Sequence, residues 1–309
     1  MRPAALLSTY AAALVVAFGA AAGVGAAVGP VGTAVPSSAG DSAADAAHQD
    51  PGAHGDEAGH AETGSSEPVD VTATGLGVAE DGYLLRLQQP VLQAGTRTTF
   101  RFVIEDEDGE PVRDYRTVHD AELHLVVARR DLTGYQHVHP TLDADGTWSV
   151  PLTLPEAGPY KVFADFTPQD RETSVVLAAD LAVPGEYVPG PAPEPVAVDS
   201  VDDYEVALDG ELVAGTRSQL TLTVRRGGRP VEDLQPYLGA FGHLVALRDG
   251  DLAYLHVHAD ESAGTGPELS FAVDLPAAAT YRLFLDFRHG DVVRTAALTA
   301  TASNEGSTR

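Results

Sequence analysis

The feature that most constrains this chain is that it says one thing twice. HLVVARRDLTGYQHVH at 124–139 lines up without a gap on HLVALRDGDLAYLHVH at 243–258. Around that core, AGTR at 94–97 returns at 214–217, Pro111-Val112 returns as Pro230-Val231, and YKVFADF at 160–166 returns as YRLFLDF at 281–287. Self-similarity over this length means two copies of one folding unit. Within each copy, short alternating runs of Val, Leu, Thr, Phe and Tyr are broken by Gly, Pro and Asp turns roughly every eight to twelve residues, the pattern of an antiparallel β-sandwich. The expected fold class is therefore all-β: two tandem Ig-like antiparallel sandwiches, over 77–183 and 197–302. The proline-rich stretch 184–196 joins them as a stiff spacer, and 303–309 forms a tail.

What precedes the repeats is of another kind. After Arg2 no charge appears before Asp41, and the run between is long enough for a membrane helix. Residues 1–35 read as an N-terminal export helix, either an uncleaved signal anchor or a cleaved signal peptide, which places the remainder outside the cytoplasm. Residues 36–76 are small and acidic and bury too little to fold, so they read as a disordered tether. Its His48, His54 and His60, with acids between them, suit loose capture of a transition metal, although a solvated linker explains them as well.

Asp and Glu outnumber Lys and Arg by 45 to 19, a formal charge of −26, which disfavours nucleic acid as a partner and favours cations. Cysteine is absent and Met1 is the only methionine, so any metal must be held by nitrogen and oxygen.

The histidines supply the nitrogen. Asp249-Gly250 between apolar strands is a strong signal for a two-residue hairpin turn. Pairing outward from it sets His243 opposite His256, with His258 two residues on along the same face. The same spacing sets His124 opposite His137, with His139 beside them. The other face then carries Leu244, Ala246, Ala253, Leu255 and Val257 as sandwich core, leaving the imidazoles on an outward or end-facing side next to Tyr254, or Tyr135 in the first copy. Three neutral imidazoles on a rigid hairpin suit Zn(II) or Cu(II). Asp165 and Asp286, at matching places in the two YxxFxDF strands, are the candidate carboxylate ligands. Three of the nine identities among the 22 aligned positions starting at Val118 and Tyr237 are histidines, which weighs against their being chance sheet residues. His119 has no counterpart and reads as an auxiliary ligand or a surface residue, and His289 as surface.

An Ala-rich export segment, a His-containing acidic tether and repeated HLV…HVH plus YxxFxDF modules together resemble uncharacterised exported bacterial proteins labelled heavy-metal-binding or copper-associated. In architecture the chain also looks distantly like copper-homeostasis β-sandwiches. The resemblance implies metal handling outside the cytoplasm.

The expected function is an extracytoplasmic Cu(II)- or Zn(II)-binding protein with one three-His site per sandwich. It would be held at the membrane by its N-terminal helix, with a metal-handling protein as a further candidate partner. The alternative is an Ig-like envelope module whose histidines only satisfy the sheet. Catalysis is not expected: there is no Ser-His-Asp arrangement, no His-Glu-x-x-His helix and no Gly-rich phosphate loop.

Overall fold

The structure, a computed structural model, describes residues 73–191, 194–259 and 264–304, with His256, His258 and Ala259 described by their backbone. The expected export helix and nearly all of the tether lie outside the described residues. Among those residues all regular structure is β, and no helix is long and apolar enough to cross a membrane.

The first repeat contributes β1 (Ala79–Glu80), β2 (Tyr83–Leu87), β3 (Thr98–Glu105), β4 (Leu123–Arg129), β5 (Gln136–Val138), β6 (Thr141–Leu142), β7 (Thr147–Leu152), β8 (Gly158–Phe166) and β9 (Val175–Val183). They form two antiparallel sheets, β1-β2-β3-β7-β6 and β5-β4-β8-β9. The sequence dictates the inner faces. Along β3, Phe100, Phe102 and Ile104 are fully buried while Arg101 between them is exposed, the period-2 alternation of a half-buried strand. Phe102 and Trp148 stack in this core, and Leu125, Val127, Tyr160, Val162, Ala164 and Phe166 close it from the other sheet.

The second repeat contributes β10 (Val198–Val201), β11 (Tyr204–Asp209), β12 (Arg217–Arg226), β13 (Arg229–Pro230), β14 (Gly242–Arg248), β15 (Tyr254–Ala259), β16 (Glu268–Asp274), β17 (Thr280–His289) and β18 (Val292–Thr301). Here the two sheets are continuous, in the order β10-β11-β12-β16-β15-β14-β17-β18. The strand β15 joins them, pairing with β14 through Val257 and with β16 from His258 onward. In the first repeat the corresponding path is broken into β5 and β6, with Pro140 standing where the second repeat has Ala259. Proline lacks the N–H that a continuous ladder needs, and the strand divides there.

The hairpins differ from the expectation by two residues. The observed pairs are Val245 with His256 and Val126 with His137, not His243 with His256 or His124 with His137. Local chemistry explains the slip. In the second hairpin Arg248 N donates to Ala253 O at 3.0 Å, so the loop holds four residues and not the two of an Asp-Gly turn. The Asp251 carboxylate accepts both the Arg248 guanidinium and the Ala253 N–H, and Leu252 takes a left-handed φ of 59° to close the loop. In the first hairpin Asp131 accepts from Arg129 and Thr133, and Leu132 has φ of 61°. A slip by an even number leaves every side chain on its face.

The second difference is larger. The histidine-bearing faces do not look outward. The sheet containing β4 and the sheet containing β14 lie against each other, and Val126, Ala128, Phe163, Val176 and Ala178 of the first repeat form one buried cluster with Val245, Leu247, Tyr254 and Phe284 of the second. All seven residues of β4 are consequently buried. Tyr135 stacks on Phe284 at 3.9 Å between centroids, and Tyr254 on Phe163 at 5.3 Å, one pair from each direction across the seam.

Candidate metal centre

The histidine cluster sits at one end of this seam. His124, on β4, is 3% exposed, and its direct cross-strand partner on β8 is Asp165. His137 stands on β5 and His139 just beyond it. One ligand nitrogen from each of His124, His137 and His139 lies within 4.8 Å of the other two.

For neutral rings, the surroundings of His124 and His137 fix which nitrogen carries the proton. His124 Nε2 is 3.1 Å from the Val118 carbonyl oxygen, which can only accept, so Nε2–H donates and Nδ1 keeps its lone pair. His137 Nδ1 is 2.8 Å from Asp286 Oδ2, so Nδ1–H donates to the carboxylate and Nε2 keeps its lone pair. These two lone-pair nitrogens, His124 Nδ1 and His137 Nε2, face each other at 3.1 Å, and His139 Nε2 is 3.2 Å from the same His124 Nδ1. A single N–H on His139 can bridge to His124 but leaves His137 Nε2 facing a lone pair. Nitrogens bound to one Zn(II) or Cu(II) at about 2.0–2.1 Å stand roughly 3.0–3.4 Å apart at ordinary coordination angles. The His124–His137 and His124–His139 separations fit a shared cation.

Protonation does not compete near neutrality for His139. Burial, and then the neighbouring His137, His124 and His243, lower its pKa to about 3. A cleft of about 30 Å³, walled by Val118, Ala121, Glu122, His124, Asp165 and Phe166, reaches His124 and has room for one water. A wider cleft of about 910 Å³ lies elsewhere, between Asp81, Tyr83, Asp106, Asp114 and Arg171, and contains no histidine; it has the character of a solvated acidic surface.

The second repeat repeats the arrangement where it is described. His243, 5% exposed, lies opposite Asp286 on β17, and its Nε2–H donates to the Tyr237 carbonyl at 2.7 Å, as His124 does to Val118. Burial lowers the His243 pKa to about 4, with His137 and His119 adding to the effect and the Tyr237 bond opposing it. The side chains of His256 and His258 lie outside the described residues.

Both aspartates reach across the seam. Asp286 accepts from His137 of the other repeat on the nitrogen facing away from the cluster, and from Thr295 on its second oxygen. Asp165 accepts from the Tyr254 hydroxyl, again from the other repeat, at 3.2 Å. Asp286 therefore stands behind His137 of the first repeat and not beside that repeat's three ligand nitrogens.

Sequence reasoning missed the turn that supplies the Val118 carbonyl. Val118 and Ala121 exchange backbone hydrogen bonds around His119 and Asp120, both at positive φ, and Tyr237 and Ala240 do the same in the second repeat. The His119 ring then lies 5.4 Å from His243 and 6.3 Å from His124, linking the two repeats. His289, expected on the surface, is instead held between the Tyr204 hydroxyl at 2.6 Å and Asp233 at 3.0 Å.

Comparison with known proteins agrees with the internal repeat. A family model described as a domain of unknown function, DUF8832, matches residues 78–182 and again 199–304, and the chain belongs to that family, in two copies. No curated protein matches. Among solved structures, the Escherichia coli adhesin FdeC is 19% identical with a TM-score of 0.25, over 73% of this chain and 65% of that one. A Salmonella α-2-macroglobulin mutant is 11% identical with a TM-score of 0.26, over 78% of this chain and 16% of that one. A chimeric titin Z1Z2 is 16% identical with a TM-score of 0.20, over 72% and 97%. The chain thus spans less than two thirds of the length of the first two, and likenesses this weak say nothing about what it does.

Proposed function

From a chain built of two DUF8832 copies, we propose a transition-metal-binding protein whose described site consists of His124, His137 and His139 and takes Zn(II) or Cu(II). The observation that carries this reading is the pair of lone-pair nitrogens, His124 Nδ1 and His137 Nε2, facing each other at 3.1 Å with His139 Nε2 at 3.2 Å. His139 Nε2, on a half-buried ring, adds a third donor to a set that one cation satisfies. The second repeat carries His243 in the equivalent place and contributes a like site with His256 and His258. The protein binds and does not turn over substrate. It acts outside the cytoplasm, carried there by the N-terminal segment, and the acidic tether with its three histidines raises the local concentration of metal.

The test is metal content. The soluble region, dialysed against Zn(II) or Cu(II) and analysed by inductively coupled plasma mass spectrometry, is expected to lose about one ion per chain when His124 and His139 are both changed to Ala. Unchanged content overturns the assignment.

A second reading is favoured by the burial of the cluster in a packed seam: the histidines lock the two repeats together with no ion. It requires chelators to leave the melting temperature untouched, whereas an ion that binds only the native state raises it.

A further inference from the structure

The position of Asp286 deepens that reading, on which this inference rests. We infer that the affinity of the first repeat's metal site is set by the second repeat, with Asp286 as the positioning residue for His137.

The grounds are geometric. The ligand nitrogen of His137 is Nε2, and its opposite nitrogen is gripped at 2.8 Å by a carboxylate from the other sandwich. Both partners are about 4% exposed in their side chains, so water does not substitute for the bond. The other carboxylate oxygen is held by the Thr295 hydroxyl, which fixes the carboxylate plane and so the direction of the imidazole. A histidine ligand whose far N–H is bonded to a carboxylate is locked in the metal-binding tautomer and made more basic, and loss of such a partner typically costs about 10–100-fold in metal affinity. His124 takes its equivalent support from within its own repeat, the Val118 carbonyl. His137 depends on the neighbour. The site is therefore complete only when the repeats are docked, and by linkage an ion in it opposes their separation.

The threonine support is not mirrored. Asp165, the counterpart of Asp286, accepts from Tyr254, and Val176 stands where Thr295 stands in the second repeat. The carboxylate fixed by a threonine is the one behind His137.

The experiment is a Zn(II) competition titration against a chromophoric chelator, on the full soluble chain, comparing the unmodified protein with Asp286→Asn and Thr295→Val. Asn keeps the shape and loses the charge; Val removes the support of the carboxylate but not the carboxylate. The expected result is a 10–100-fold weaker site in Asp286→Asn, with stoichiometry unchanged, and a smaller loss in Thr295→Val. Equal affinity in Asp286→Asn, or an equal loss in both variants, overturns the inference while leaving metal binding intact. No Zn(II) uptake by the unmodified chain overturns the binding reading and this inference together. Histidine ¹⁵N NMR of the zinc-loaded unmodified protein provides a readout independent of any variant's folding. It is expected to show His137 with its proton on Nδ1 and zinc on Nε2; zinc on Nδ1 overturns the role of Asp286.

Discussion

Two tyrosines at equivalent places in the repeats should respond in opposite ways to the same substitution. Tyr254 is 1% exposed, and its hydroxyl donates to Asp165 Oδ2 at 3.2 Å across the seam. Tyr135 occupies the matching position in the first repeat, but its hydroxyl is buried without a hydrogen-bond partner among the described residues. Its ring stacks on Phe284. A bond to a charged acceptor contributes about 1.5–3 kcal/mol, and 3.2 Å is at the long end, so Tyr254→Phe should cost about 1.5–2 kcal/mol. Tyr135→Phe keeps the stack and removes an unsatisfied buried hydroxyl, so it should be neutral or stabilising by up to about 1 kcal/mol. For a folded region of this size each kcal/mol corresponds to about 2–4 °C. Calorimetry in the presence of a chelator should therefore show Tyr254→Phe melting about 3–8 °C lower and Tyr135→Phe unchanged or a few degrees higher. Equal losses in the two variants would refute the asymmetry of the seam.

The other expectations concern the seam, the site and pH. Phe163→Ala, at a fully buried seam residue, should cost about 3–5 kcal/mol in urea unfolding although it touches no ligand, and a loss under 1 kcal/mol would mean the sheets do not pack as described. His139→Ala should reduce the metal-induced rise in melting temperature while changing the metal-free melting point little, since His139 is only half-buried; an undiminished metal response contradicts its role. The pKa values of His139 and His243, about 3 and about 4, lie below the unfolded value of about 6.5, so the unfolded chain takes up protons that the folded chain refuses. Metal-free stability should be flat for these groups above pH 6.5 and fall as pH drops toward 4, by up to about 1.4 kcal/mol per pH unit for each histidine. Urea titrations at pH 7.5, 6 and 5 measure this, and a His243→Asn variant with an unchanged slope contradicts it.

The sandwiches were legible because alternation and turns are local properties. Phe100, Phe102 and Ile104 announce an inner face, and YxxFxDF puts Tyr160, Val162, Ala164 and Phe166 on one side with Asp165 on the other, where they are found. The convergence of His124, His137 and His139 also followed from spacing, because side-chain faces survive an even register slip. The slip itself was not legible: it depends on Arg248 and Asp251 pairing within the loop, which outweighs the turn preference of Asp249-Gly250. The seam had a signal that went unread. Along β4 and β14 the histidine face continues with Val126 and Ala128, or Val245 and Leu247, so these strands are apolar on both sides, as strands buried on both faces are. Which surface covers them is a long-range matter, and no local pattern places Asp286 behind His137.

The most direct measurement is X-ray diffraction from crystals soaked in Zn(II) or Cu(II), collected on both sides of the metal's absorption edge. An ion shared by the three histidines gives an anomalous peak about 2.0–2.2 Å from each of His124 Nδ1, His137 Nε2 and His139 Nε2. An anomalous map with no peak there, or with peaks only at the surface carboxylates, contradicts it.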